Sequence, residues 1–454
     1  MLFMQYADAL RYLYSLGNEV LTAKLGLHNI STLLESLGNP HRHYDSVLIA
    51  GTNGKGSVAA FVESVLRTSG LNTGLYTSPH LIRIEERVRV RGSYISAEDL
   101  ARFTALVKDK VAELLNPHAP NLVSGRLDRH PTYFEMVTAI GFCYFAERNV
   151  DVAVLEVGLG GRLDATNVVD PRVAIITNVG YDHQKYLGSR IEEIAMEKAG
   201  IIKPRSDAKA GPLPVICSSD DPAVRNIVEE QCRAMGARCI HALDEVRVEA
   251  EPDALGRFRL KVCFPRGSSL DLRLPLPGEH QVRNAIAAVR ALMVLQTQGF
   301  PIDVEDIKTG IEATRWPGRL EIVSGEPPII LDGAHNIAGA ESLKKYCERF
   351  LATKRLVLLF GVMRDKDVVE IAGNLFPLAS DIVLTAAESE RSAEADWIAT
   401  QLPEYRQRYH CTRNPQEALG VARTLATPDG IILAAGSLFL IGDLQRALQL
   451  EAAA

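Results

Sequence analysis

Val47-Leu-Ile-Ala-Gly-Thr-Asn-Gly-Lys-Gly-Ser57 is the stretch whose reading decides the fold. Residues 47–50 are uniformly apolar and read as a buried strand; a Gly-rich turn and a helical stretch over 58–69 follow. Glycines let backbone N–H groups turn toward an anion, and the start of a helix adds partial positive charge. Lys55 can reach terminal phosphates, and the Ser57 hydroxyl can face a Mg²⁺ ion. The spacing departs from the strict phosphate-loop pattern: Gly56 separates Lys55 from Ser57, and Ile49 stands where the first Gly would be. The plainer reading is an ordinary strand-to-helix turn. Lys and Ser together favour a phosphate cradle made of Thr52, Asn53, Gly54, Lys55, Gly56 and Ser57.

Outward from this loop, short apolar runs alternate with helix-length stretches. Strands are expected at 73–76, 150–157, 173–177 and 214–217, and helices at 132–148 and 191–199. Strands spaced by helices make a parallel sheet covered on both faces. The pattern changes over 244–274, where alternating pieces at 258–262 and 270–274 predict a small antiparallel hairpin. Pro275 and Pro277 end it, and a long helix follows over 281–297. A second α/β series begins near Glu321, with strands at 329–331, 356–360, 382–384 and 431–434. Trp316-Pro-Gly-Arg319 is the expected hinge. The fold class is therefore α/β. A P-loop-type parallel-sheet ATPase domain would occupy 1–316, with the β insertion at about 244–274. A smaller Rossmann-like α/β domain would occupy 317–454, with a cleft between the two.

The chain has 454 residues, 47% hydrophobic and 23% charged, which excludes collagen-like and disordered classes. A net charge of −6 gives no general attraction to nucleic acid or an anionic membrane, so any polyanion must be held locally. Seven scattered cysteines without a C-x-x-C argue against zinc or redox motifs and read as small core residues. Residues 1–17 carry Asp8 and Arg11 in an apolar pattern, an amphipathic helix and not a signal peptide. No run of 18 apolar residues occurs. A reduced, cytoplasmic protein is expected, with neither membrane nor nucleic-acid partners.

Further ligand-type groups stand where strands end. Glu156 closes an apolar run, Asp182-His183 follow another, and Thr77-Ser-Pro-His80 a third. Each alone has an ordinary explanation, as a solvated strand end or a structural histidine. Three of them beside a phosphate loop favour a site. Gly158, Gly160 and Gly161 do not fit the dinucleotide spacing.

Six strings occur in order: the loop at 51–57, Thr77-Ser-Pro-His-Leu81, Thr132-Tyr-Phe-Glu135, residues 156–167, Glu197-Lys-Ala-Gly-Ile201 and Leu331-Asp-Gly-Ala-His-Asn336. Together they resemble the folylpolyglutamate synthase/dihydrofolate synthase branch of the Mur ligase family, over a span from about Leu25 to Leu444. The 156–167 and Ser-Pro-His-Leu strings carry the folate branch, and the phosphate loop only the wider family.

The resemblance implies roles residue by residue. Ser78, Glu156 and His183 match Mg²⁺ ligands, with Ser57 at the nucleotide side. Lys198 matches a carbamylated lysine whose carboxylate helps bind a second Mg²⁺. Such a residue must be neutral long enough to react with CO₂. Asn284, Arg319 and Asp332 match nucleotide contacts, so ATP would be clamped between domains. Thr77, Thr132, Phe134, Leu163, Asp164 and Ala165 match a pterin pocket, with Gly26, Leu27, His28 and Asn29 in its lid. An Asp such as Asp164 can accept paired N–H donors of a pterin, or can cap the turn after it. The lid has His28 and Asn29 where charged residues are common in the family. His335 and Ser437 match residues at the catalytic cleft on the glutamate side, with Lys55 and Lys198 as its other catalytic groups. Asp365-Lys-Asp367 also resembles the family, without an evident physical role.

The implied reaction is ATP-driven amide formation through an acyl phosphate. It would add L-glutamate to folate or dihydropteroate, with two Mg²⁺ and ATP, on a monomer. No protein nucleophile is needed, consistent with the lack of a G-x-S-x-G elbow. A Mur-type peptide ligase acting on a nucleotide sugar is the nearer alternative. A nucleotide-dependent switch, for which the loop alone would suffice, is the more distant one.

Overall fold

Every apolar run that lies between two helical stretches becomes an interior strand. The computed structural model describes residues 4–17, 26–118, 125–207, 211–265 and 268–453, so Leu25, where the resembling span begins, lies outside the described residues. Among these residues the strands form sheets of eight, three and six. The first contains β1 (Asp45–Ala50), β2 (Thr73–Tyr76), β3 (Val88–Val90), β4 (Ser93–Tyr94), β5 (Val152–Glu156), β6 (Val173–Ile176), β7 (Pro214–Cys217) and β8 (Arg238–His241). Their spatial order is β4-β3-β2-β5-β1-β6-β7-β8. From β2 to β8 all pairs are parallel; β3 and β4 add an antiparallel edge.

The central strand shows why. Leu48 and Ala50 enter the core shared with the helix Tyr133–Glu147, while Val47 and Ile49 enter the one shared with the helices Lys55–Thr68 and Glu279–Thr297. All four are fully buried, as the period of two requires of a strand covered on both faces. The turn joining β3 to β4, Arg91-Gly92, has φ of 52° and 78°, the geometry of a tight hairpin.

The insertion forms three antiparallel strands, not two: β9 (Arg247–Pro252), β10 (Phe258–Cys263) and β11 (Ser269–Arg273). Phe258, Leu260 and Val262 are buried and alternate with exposed Arg259 and Lys261. β9 is almost wholly exposed and carries no such alternation, which is why the pattern missed it.

The third sheet has the order β12-β13-β17-β14-β15-β16: β12 (Glu321–Val323), β13 (Ile329–Leu331), β14 (Leu356–Phe360), β15 (Asp381–Leu384), β16 (Tyr409–Cys411) and β17 (Ile431–Ala435). It is parallel except at β12. The two units touch closely. The Tyr346 hydroxyl donates to Leu255 O at 2.9 Å, and a Cβ at Gly442 would stand 2.0 Å from Leu81 O. Among the described residues no helix is long and apolar enough to cross a membrane.

Candidate active site

The phosphate loop leaves β1 between β5 and β6, outside the carboxyl ends of the strands, where open α/β sheets bind ligands. Its shape is fixed by the neighbouring loop after β6. Thr52 N donates to Asn178 O at 2.8 Å, Asn53 N to Asn178 Oδ1 at 2.7 Å, and Thr177 Oγ1 to Asn53 O at 2.7 Å. Gly51 (φ 151°) packs against Thr177, where a Cβ would lie 1.8 Å from Oγ1. Gly51→Ala is therefore expected to cost about 3 kcal/mol through strain and overpacking. Chemical denaturation of the variant against the wild type checks this. Gly54 (φ 85°) precedes the helix that begins at Lys55, three residues earlier than the apolar period indicates.

Two lysines meet at this loop. Lys55 Nζ donates to Gly51 O (3.2 Å) and Thr52 O (3.1 Å), and Lys198 Nζ donates to the same Gly51 O at 2.8 Å. Lys198 is 4% exposed on the helix Ile191–Ala199. Burial foremost, then the charge of Lys55, lowers its pKa to about 7, against a weaker opposing pull from Asp182. The helix is held in place where Gly161 meets the carbonyls of Glu197 and Lys198, within 3 Å of where a Cβ would be.

Glu156 ends β5, 5% exposed, and its Oε2 accepts from Ser78 N at 3.2 Å. His183 sits in the left-handed region (φ 52°), a strained position of the kind found at ligand sites. Burial lowers its pKa to about 4 despite the adjacent Asp182, so its imidazole is neutral at pH 7, as a ligand must be. Asp182 is held well below the usual carboxylate range: burial raises it, but the charges of His183 and His335, present only in acid, and of Lys366, present throughout, outweigh this. Among the described residues no three His, Cys, Asp or Glu side chains already form a metal cage.

The opposite wall comes from the helix Glu279–Thr297, the segment 316–319 and loops of the third sheet. Asn284 lies against Gly54, where a Cβ would meet its Oδ1 at 2.5 Å; its Nδ2 donates to Gln281 Oε1 (2.9 Å), and Gln281 Nε2 to Ser57 Oγ (3.2 Å). Gln281 carries no sequence signal of its own, and only the packing of its helix on the loop reveals it. Trp316 of the hinge covers Gly56. Arg319 Nη1 donates to Gly318 O at 3.0 Å, and Asp332 accepts from Leu320 N and Ala334 N. Burial raises the Asp332 pKa, with Arg319 opposing. His335 Nδ1 lies 2.7 Å from Gly333 O, a carbonyl that can only accept, so Nδ1 carries the proton and Nε2 the lone pair. Burial lowers the His335 pKa to about 4. Ser437 is 1% exposed and accepts from Phe439 N.

These residues surround one cavity of about 1250 Å³, lined by the loop 52–57 together with Ser78, Glu156, His183, Lys198, Asn284, Arg319, Asp332, His335 and Ser437. The residues assigned to a pterin pocket are placed differently. Gly26, Leu27, His28, Asn29, Thr132, Phe134, Leu163, Asp164 and Ala165 do not line that cavity, and Thr77 borders a smaller one of about 360 Å³. Instead, the lid helix His28–Ser36 packs on the helix that Thr132 caps and on the turn Ala165–Val168. Asp164 is 4% exposed, and its carboxylate accepts from the N–H groups of Gly158, Leu159 and Thr166 and the Thr166 hydroxyl. In this arrangement it caps the turn and aims Gly158 and Leu159 into the cleft.

Comparison with known proteins agrees with this architecture. Residues 49–292 match the Mur ligase middle domain and residues 318–438 the Mur ligase glutamate ligase domain. The dihydrofolate synthase/folylpolyglutamate synthase of Bacillus subtilis is 32% identical over 99% of this chain and 100% of its own. The structure of Escherichia coli FolC in complex with DHPP and ADP superposes with a TM-score of 0.84 at 28% identity, covering 99% of this chain and 98% of that one. That of Mycobacterium tuberculosis folylpolyglutamate synthase complexed with ADP and AMPPCP gives 0.87 at 32%, covering 98% and 99%. With both walls of the cleft built from matching domains, the chain belongs to the Mur ligase family, in its folylpolyglutamate synthase/dihydrofolate synthase branch.

Proposed function

We propose that this cleft joins L-glutamate to folates and to dihydropteroate, using ATP as co-substrate. The observation that carries the reading is the convergence of Lys55 and Lys198 on Gly51 beside Glu156, facing Arg319, Asp332 and His335 across one cavity. A folate or pteroate carboxylate attacks the γ-phosphorus of ATP; the bond to the ADP oxygen breaks, leaving an acyl phosphate. The glutamate amine attacks the acyl carbon, an amide forms, and phosphate leaves with the C–O bond electrons. Lys55, released from its loop carbonyls, neutralises the transferring phosphoryl group. Asn284, Arg319 and Asp332 hold the nucleotide, and closure excludes water from the acyl phosphate. Neutral His335, with its lone pair on Nε2, is suited to take the proton that the amine loses; Ser437 lies beside it on the glutamate side. The pterin end is assigned to the layer at Gly26–Asn29, Thr77, Thr132, Phe134 and Leu163–Ala165, reached past the wall of Gly158 and Leu159.

The donor set fits Mg²⁺. Ser78 and Glu156 offer oxygen, neutral His183 offers nitrogen, and Ser57 stands at the phosphate side; Lys198 adds oxygen once carbamylated. Bound there, Mg²⁺ supplies charge neutralisation at the phosphates. The cysteines, all free, fit a reducing compartment such as the cytoplasm.

Glutamate-dependent ADP release with dihydropteroate or tetrahydrofolate, and none with a UDP-muramoyl acceptor, is the expected assay result. Release with the muramoyl substrate alone would reverse the reading. Glu156→Ala and His183→Ala are each expected to raise the Mg²⁺ concentration giving half-maximal rate by at least about tenfold. His118→Ala, on an exposed loop, should leave it unchanged. Mg²⁺ titrations that superimpose on wild type would remove both residues from the ligand set.

A further inference from the structure

Asp365-Lys-Asp367 resembles its family without an evident role in sequence, and the structure separates its three side chains. Asp367 caps the helix Val368–Leu375, accepting from Glu370 N at 3.2 Å. Asp365 accepts from Arg391 Nη2 at 2.8 Å. The two acids pin the loop after β14 from both sides, and Lys366 between them leaves its own unit. Its Nζ donates to Asp182 Oδ1 at 2.7 Å, on the loop after β6 of the first sheet, with side-chain exposures of 11% and 10%.

Asp182 is the centre of a larger knot. Its Oδ1 also accepts from His183 N at 2.8 Å, at the residue with φ of 52°. Its Oδ2 accepts from Asn336 Nδ2 at 2.9 Å. Asn336 and Asn53 exchange a pair of side-chain bonds at 3.0 and 3.1 Å, and Asn53 belongs to the phosphate loop. One carboxylate thus joins two residues of the C-terminal unit to the backbone of His183 and, through Asn336, to the loop that cradles phosphate.

Two opposite charges removed from water stay there only while each has the other. With the cleft open, Lys366 and Asp182 would both be hydrated, so the bond forms only as the units meet and water leaves. We infer that Lys366 is a positioning residue for the ligase reaction: its ion pair with Asp182 holds the two units closed and sets the geometry of His183 and Asn53. It acts through Asp182: Lys366 also lines the cleft, but its ammonium is committed to that carboxylate.

The inference rests on the ligase reaction proposed above, and the test compares variants with the wild-type rate. A wild-type enzyme without glutamate-dependent turnover would defeat the function, while the inference is judged on ratios. Lys366→Met, of similar length and without charge, is expected to lower kcat about 100-fold, since small misplacements at a reacting centre have effects of this size. KM values for ATP and glutamate should stay within about threefold of wild type. Asp182→Asn should show a loss of the same order, and the double variant should be no worse than the poorer single one. Lys366→Arg, able to renew the pair, should recover at least about a tenth of the wild-type rate. Small-angle scattering with ADP and tetrahydrofolate should show contraction for wild type and Lys366→Arg but not for Lys366→Met. Where Lys366→Met does not fold, Asp182→Asn carries the same kinetic and scattering comparison. Three results would overturn the inference: wild-type kcat in Lys366→Met, multiplying losses in the double variant, or a change confined to the KM for glutamate. The last would mean that Lys366 binds the amino acid directly.

Discussion

Lys55→Ala lowers ATP turnover by at least about 10²-fold while the protein remains folded, the expected result of removing an electrostatic clamp from the phosphoryl group. The fold should survive because, among the described residues, Lys55 Nζ binds only two carbonyls of its own loop, Gly51 O and Thr52 O, and is half-buried. Those carbonyls face the cleft and can be hydrated in its absence. The measurement is glutamate-dependent ADP release, with circular dichroism of the same sample as the control. Near wild-type release would remove the phosphate-loop role. Loss of the far-ultraviolet signal would instead mark Lys55 as a structural residue.

Lys198→Ala is the second large effect: activity should fall by at least about 10²-fold, and short-chain carboxylates at high concentration should restore part of it. An unmodified ammonium beside Mg²⁺ is repelled, at about 4 kcal/mol for each unit-charge pair 4 Å apart in an effective dielectric of 20. Carbamylation would reverse the sign: the amine attacks CO₂, an N–C bond forms as one C–O π bond opens, a proton leaves, and the resulting carboxylate would offer two oxygen donors. The neutral amine this needs is available because Lys198 loses its proton at about 7 instead of 10.5. Activity should therefore decline as pH falls below about 7 at constant dissolved CO₂. For the unmodified lysine the linkage has a definite sign. Between about 7 and 10.5 the unfolded chain holds the proton and the folded one does not, so stability rises with pH across that window. Electron density extending three atoms beyond Nζ, in crystals grown with Mg²⁺ and bicarbonate, would confirm the group. A bare amine in a fully active sample would rule it out.

The legible part of this fold is the part buried on both sides. β1, β5, β6 and β7 carry continuous apolar runs because helices cover both faces, and the interior strands β13, β14, β15 and β17 follow the same rule. The strands that escaped notice, β3, β4, β8, β9, β12 and β16, lie at or beside sheet edges, where exposed positions dilute the pattern. The site divides likewise. Lys55, Glu156 and His183 were readable because each ends or follows a strand at the binding edge. Gln281, Asn336 and the partner of Lys366 depend on which helix or loop packs opposite them, and no local spacing encodes that. Resemblance assigns a pterin set, and only tertiary structure shows that residues 26–29, 132, 134 and 163–165 lie off the lining of the large cavity, with the Asp164 carboxylate accepting from N–H groups of its own turn.

Trp316 gives the enzyme a built-in optical probe. The chain has two tryptophans, and Trp397, 43% exposed on the helix Ala395–Gln401, belongs to another surface. Trp316 lies over Gly56 with its ring stacked on Arg89, whose guanidinium carbon is 5.0 Å from the ring centre and 4.7 Å from that of Tyr94. An indole touching the phosphate loop on one side and a cation on the other changes its emission when either shifts. Once Trp397 is replaced by Phe, the fluorescence of a single native side chain would follow nucleotide arrival and hinge motion in real time, with no added dye.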